Sequence, residues 1–341
     1  MSEQYDDYLC DPRAKPHPEI QALERLLQPL SANALRLAHR PLALPRQSTR
    51  ALRRRYFQVA VAVAATLACV YVAHLYRLSW PDASPWPASI VQADGSIRST
   101  VLRVGEQLVT GPIETASLEA ARIGKVRLAP SSEVRLIQTR GGRHRIELVN
   151  GRLHAKIWAP PSHFGVEHGE LRFIDLGCEF ELNVERSGSG TLAVTSGWVI
   201  YGREDKQILV PEYYSLAFDG ESAQVPVRLD SSSEFRNRVD ALDAQLTLNA
   251  ADRPRVSDLA QAIAARARDE DYFTLLNLLV KHPSLAAGPL YPRLAKALGI
   301  ERIDESHRAR WASGDASSRE EWWQRLPKQP KSWWLNWRDA L

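Results

Sequence analysis

Hydrophobic and polar positions along the chain change period three times. Between Pro18 and Leu30, Ile20, Leu23, Leu26, Leu27 and Leu30 recur at helical spacing, which predicts an amphipathic helix of about a dozen residues before Pro29 interferes. From Tyr56 to Tyr76 the apolar run is continuous. From Ser99 to about Leu229 apolar and polar residues alternate in short runs, broken by Gly, Asn or Pro, as in half-buried strands. Beyond Asp230 the helical period returns, carried by Leu242 and Leu246, Leu259 and Ile263, Phe273, Leu276, Leu279 and Val280, then Leu290, Leu294 and Leu298.

The run Tyr56 to Tyr76 divides the chain. A helix needs about 20 mainly apolar residues to cross about 30 Å of hydrocarbon, and this run has that length with no formal charge. Gln58, Thr66 and His74 are its clearly polar members, and Tyr56, Phe57, Tyr71 and Tyr76 suit the two interfaces. The bland alternative is the buried core helix of a soluble domain. A cleavable leader fits poorly, because some 55 residues precede the run, and the same objection meets lipoprotein-like cleavage before Cys69. An uncleaved single-pass anchor is the expectation. Arg40, Arg46, Arg50, Arg53, Arg54 and Arg55 precede it with no acid between Leu37 and Arg55, so the positive-inside rule places the N-terminus in the cytoplasm.

On the far side, Pro81, Pro85 and Pro87 suggest an extended tether over residues 78–98. The alternating region then predicts strands such as Val134 to Ile137, Phe180 to Val184 and Trp198 to Tyr201, with Asn150-Gly151 as a tight hairpin turn. One wet face per strand implies an antiparallel sandwich or flattened coil of strands.

Composition adds little beyond this. The 341 residues leave room for two modest domains beside the anchor, and the net charge of +4 owes most to the arginines before the apolar run. Such a cluster sets topology and touches anionic lipid more readily than it binds nucleic acid. The three cysteines, Cys10, Cys69 and Cys178, fall in three different compartments under this reading, so no intrachain disulfide is expected.

The β region resembles the FecR-type periplasmic domain of bacterial inner-membrane sigma-factor regulators. The resemblance is carried, in order, by Gly105 to Thr110, Gly124 to Ser132, Ile146 to Leu153, Phe164 to Glu167, Asp175 to Phe180 and Val194 to Val199. It implies a single-pass relay in which an envelope signal reaches an extracytoplasmic-function sigma factor. Cys178 stands where the family usually has a small hydroxyl residue. The helical tail departs from the mixed α/β receptor-signalling module of iron-citrate-type relatives. Asp175-Leu176-Gly177 reads as a turn, its carboxylate bonding the backbone ahead and its glycine taking a positive φ.

Six tryptophans close the chain: Trp311, Trp322, Trp323, Trp333, Trp334 and Trp337. They suit either a sealed helical core or a partner surface. His154, His163, Glu167, His168 and Cys178 are residue types that bind zinc, but their spacing matches no ligand pattern. No nucleophile elbow, His-Glu-x-x-His helix or phosphate loop in context is present in the sequence.

The expectation is therefore a multi-segment membrane protein, with no catalytic residue, cofactor or metal. Residues 1–52 form a cytoplasmic segment, 53–77 the anchor, 78–98 a linker, 99–229 an all-β domain and 230–341 a Trp-rich helical domain in the periplasm. Ile20, Leu23, Leu26 and Leu27 are the candidate face for a sigma factor or, alternatively, for the membrane surface. Trp322, Trp323, Trp333, Trp334 and Trp337 are the candidate face for an envelope protein. The competing expectation is an anchored envelope module that binds or scaffolds a protein or glycan, with no sigma-factor role.

Overall fold

The computed structural model describes residues 18–38, 49–203, 207–220, 222–248 and 253–327. The chain divides into two compact units, Met1–Val70 and Tyr71–Leu341.

Helix α1 spans Pro18–Ala38, with Pro18 at its start and Glu19 in its first turn. It runs on past Pro29, beyond the dozen residues expected from the sequence. Proline removes one backbone hydrogen bond, but its fixed φ is that of a helix, so an exposed helix can continue through it. Helix α2 spans Thr49–Leu78, and its stretch Tyr56–Leu78 has a mean hydropathy of 2.0 with none of its residues buried inside the protein. At about 1.5 Å per residue it is long enough to cross a bilayer.

Among the described residues, sixteen strands between Trp86 and Arg228 form one continuous hydrogen-bonded system. The first of them, Trp86–Val91, lies within the expected linker and pairs with Ile97–Leu102 and Thr115–Ala120. Trp86, Ala88 and Ile90 are buried, so alternation outweighs the prolines, which sit beside the strand or at an outward position.

The architecture turns on the 15-residue strand Arg143–Ile157. Its first half pairs with Glu133–Arg140 and Phe164–His168, its second half with Gly124–Leu128 and Glu179–Val184. Asn150-Gly151, expected as a hairpin, is instead the corner where this strand passes between two sheets. Gly151 takes φ +96°, and a Cβ there would lie 2.4 Å from Ser132 Cα. Ser132 holds the corner: its hydroxyl accepts from Arg152 N at 2.9 Å and donates to Arg152 O at 3.2 Å.

The corner also accounts for one departure from an all-antiparallel arrangement. His144 to Glu147 pair in parallel with Phe164 to Glu167. Parallel neighbours need a crossover, and the second half of the long strand, lying in the other sheet, supplies it. Between the sheets, Phe173 and Tyr201 from one meet Phe218 from the other, each with ring centroids 5.4 Å apart.

The helices pack directly on this β unit and share its core. They are α3 (Ser233–Thr247), α4 (Arg253–Arg266), α5 (Tyr272–Lys281), α6 (Leu290–Ala297), α7 (Glu305–Ala312) and α8 (Ala316–Trp323). Ser232, Asp304 and Asp315 cap α3, α7 and α8 through their side-chain oxygens. Tyr214 Oη donates to Glu270 O at 2.6 Å and Thr274 Oγ1 to Pro226 O at 2.8 Å. Phe273 of α5 lies 6.0 Å from Trp198 and 5.4 Å from Tyr214. This helical cover explains why Trp198–Gly202 is buried at every position instead of alternating.

Candidate functional site

The expected cytoplasmic face is open within its own unit. Leu23, Leu26 and Leu27 are 58%, 74% and 51% exposed, and Ile20 is half-buried. These residues share one side of α1 by their three- and four-residue spacing.

A second feature lies where α2 ends. The last carbonyls of a helix lack intrahelical partners, and the negative end of its dipole attracts a cation. Arg122 meets both needs. It sits in the turn between Thr115–Ala120 and Gly124–Leu128, after Ala121 at φ +48°. Its Nη1 donates to Tyr76 O at 3.1 Å and Ser79 O at 2.9 Å. The same guanidinium lies 3.9 Å from the centroid of the Tyr76 ring and 5.3 Å from that of Trp80.

Neighbouring groups complete this junction. Trp158 Nε1 donates to Arg122 O at 3.3 Å, and Arg77 lies 5.7 Å from the Trp158 ring centroid. Gly141 N donates to Trp80 O and Ala83 N to Thr139 O, tying the segment after α2 to the hairpin around Gly141. No periodicity or motif distinguishes Arg122 from the other arginines of the sequence. Only the fold brings it to Tyr76.

Behind the junction is a buried polar chain. Trp86 Nε1 donates to Thr139 Oγ1 at 2.9 Å, and Thr139 Oγ1 lies 2.8 Å from His144 Nδ1. Burial, reinforced by His163 and Arg145, pushes His144 down to about 4. Arg145, also buried, donates to His144 O and Ser162 O, and burial lowers it to about 10. Asp175 is fully buried and accepts from Gly177 N at 3.0 Å, Cys178 N at 2.9 Å and the Cys178 thiol. Burial raises it to about 7 against the opposing pull of these donors and of Arg145. Burial and the adjacent carboxylate push the Cys178 thiol up in turn. This is the turn expected from Asp175-Leu176-Gly177, with Gly177 at φ +84°.

The zinc-type residues are dispersed. His154 pairs with Glu179 at 3.0 Å, His168 Nδ1 lies 2.9 Å from Leu148 O, and Cys178 faces Asp175. Among the described residues no three His, Cys, Asp or Glu side chains converge as a metal site.

The tryptophans separate into distinct roles. Trp322 is only 3% exposed, packed 4.4 Å from Tyr291 and 5.3 Å from Trp311 and stacked on His307, so it seals the helical core and is not an outward partner face. Trp311 Nε1 donates to Leu279 O. Trp323 is half-buried, 6.0 Å from Phe273. Trp333, Trp334 and Trp337 lie outside the described residues.

No family model matches the chain, and no curated protein matches it. Two crystal structures of a candidate anti-sigma factor from Parabacteroides distasonis, at 1.65 Å and 2.50 Å resolution, are similar to it at 10% identity, each with a TM-score of 0.32. The match covers 39% of this chain and 63% of that protein, less than two thirds of its length. A superposition this loose decides neither fold nor function.

Proposed function

We propose that the protein is a single-pass membrane signal relay of the FecR-like kind. The observation that carries the reading is the apolar stretch Tyr56–Leu78, none of it buried inside the protein. A hydrocarbon surface of that length needs a non-aqueous surrounding, and a bilayer supplies it. The arginines at 40, 46, 50 and 53 to 55 support an inside N-terminus, with the chain beyond Leu78 in the periplasm of a bacterial inner membrane.

In this reading the leucine face of α1 holds an extracytoplasmic-function sigma factor in the cytoplasm, and the exported unit meets an envelope protein. Support comes from the ordered motifs between Gly105 and Val199 and from the exposure of Leu23, Leu26 and Leu27. Arg122 at the end of α2 would make the exported unit and the helix end move together. The reading assigns the chain no catalytic step, cofactor or metal.

Co-purification from membranes tests it, using the full chain, a chain lacking residues 1–50, and the triple variant Leu23→Asp, Leu26→Asp, Leu27→Asp. A sigma factor retained by the first and lost from the other two supports the relay. Recovery of the chain in the soluble fraction, or a cytoplasmic partner indifferent to both changes, defeats it.

A further inference from the structure

Between the sheet and the helices lies a partly open cleft of about 670 Å³. That is more than twentyfold the roughly 30 Å³ share of one water in the liquid, far beyond an ordinary packing fault. It falls within the range of about 300 to 1,000 Å³ typical of sites for small organic molecules. Its walls are mainly apolar, with Leu171, Ile208 and Val225 on the β side and Phe273, Leu276 and Val280 on α5.

One wall carries an unanswered polar group. Tyr201 lines the cleft, is only 3% exposed, and its hydroxyl has no hydrogen-bond partner. Its ring packs against Phe173 and Phe218, each at 5.4 Å. Burial pushes the phenol up to about 12, so it stays a neutral donor across the physiological range. Buried hydroxyls are nearly always paired, and this orphan belongs to a residue of the cleft wall, where a ligand atom that reaches it would complete the bond.

The charged side chains around the cleft are already engaged. Arg203 pairs with Glu170 at 3.1 Å. Lys281 donates to Asp243 at 2.7 Å and to Ala223 O at 2.8 Å. An ionic ligand would have to break one of these pairs, whereas a neutral one would not.

We propose that this cleft binds a neutral, largely apolar small molecule with one hydrogen-bond acceptor, placed to take the proton of the Tyr201 hydroxyl. The site is independent of the relay reading, since it involves only residues 171 to 323.

Benzophenone is a suitable probe, because it is neutral and apolar, carries one carbonyl acceptor and inserts into nearby C–H bonds on irradiation. The full chain in lipid nanodiscs is irradiated over a range of probe concentrations, and adducts are mapped by peptide mass spectrometry. Adducts on peptides covering Val225 and Phe273 to Val280 are expected to saturate. Adducts on Tyr56–Leu78 report partition into lipid and should rise without saturating. Leu276→Trp, which fills the cleft, is expected to abolish the saturable labelling, and Val280→Trp at the rim serves if that variant does not fold. Tyr201→Phe is expected to weaken apparent affinity about three- to tenfold, the worth of one hydrogen bond. Cleft labelling that does not saturate, or that is unchanged by the filling variant or by Tyr201→Phe, overturns the proposal. So does saturable labelling that appears only after residues 328–341 are deleted, since the chain itself would then be the occupant.

Discussion

Arg122 lies with its guanidinium 3.9 Å from the Tyr76 ring centroid while donating to the Tyr76 carbonyl at 3.1 Å. One side chain from a β-turn thus caps a helix end and covers its last aromatic. The start of the expected tether is bonded at this point into a joint within the Tyr71–Leu341 unit.

Arg122→Ala should loosen that joint. Each exposed cation–π or charge-assisted contact contributes on the order of 1 kcal/mol, so global unfolding should change little. Amide exchange in the segment Ser79 to Ala83 should rise severalfold, and Arg122→Lys should restore only part of the protection, because an ammonium cannot stack as a guanidinium does. Unchanged exchange in Arg122→Ala would refute the joint.

Gly151→Ala should be among the most damaging single-methyl changes. The added Cβ meets Ser132 Cα at 2.4 Å, and the φ of +96° is one that side chains rarely adopt. A loss of more than about 3 kcal/mol in denaturant unfolding is expected. Ser132→Gly in the same chain should recover only the share owed to the Ser132 side chain, because the contact with its Cα and the positive φ both remain.

Asp175 and His144 should pull stability in opposite directions with pH. Asp175, raised from 3.8 to about 7, binds its proton more tightly when folded, so its contribution is full below pH 3.8 and is lost as pH rises through about 7. His144, lowered from 6.5 to about 4, favours the folded state above pH 6.5, and its contribution is lost as pH falls towards about 4. Between pH 4 and 6.5 the two slopes, each at most about 1.4 kcal/mol per pH unit, should largely cancel. Asp175→Asn should expose a loss of stability on acidification over that window. His144→Gln should expose a loss on raising pH. Denaturant midpoints measured at pH 4.5, 5.5 and 6.5 would show either slope or its absence.

Trp322→Ala and Leu26→Asp should separate core from surface. Trp322 is buried against three aromatic neighbours, so its truncation should cost about 3 to 5 kcal/mol. Leu26 is 74% exposed, so its replacement should shift stability by no more than about 0.5 kcal/mol while weakening capture of a cytoplasmic partner. Equal stability losses for the two, measured by thermal unfolding, would contradict this division.

What the sequence determined by itself was local. The apolar helix over Tyr56 to Tyr76, strands with one inward face and the Asp175 turn follow from spacing and residue type, because periodicity and side-chain-to-backbone bonds act within a few residues. The tertiary structure decided what depends on distant neighbours. Asn150-Gly151 became a corner because Ser132 occupies the space a side chain would need. Trp86 joined the first strand because Leu102 and its neighbours on the next strand offered it a pairing edge, and Trp198–Gly202 lost its wet face because α5 covers it. Arg122 at Tyr76 and the cleft wall shared by Tyr201 and Phe273 bring together positions far apart in the chain, and no local pattern encodes such meetings.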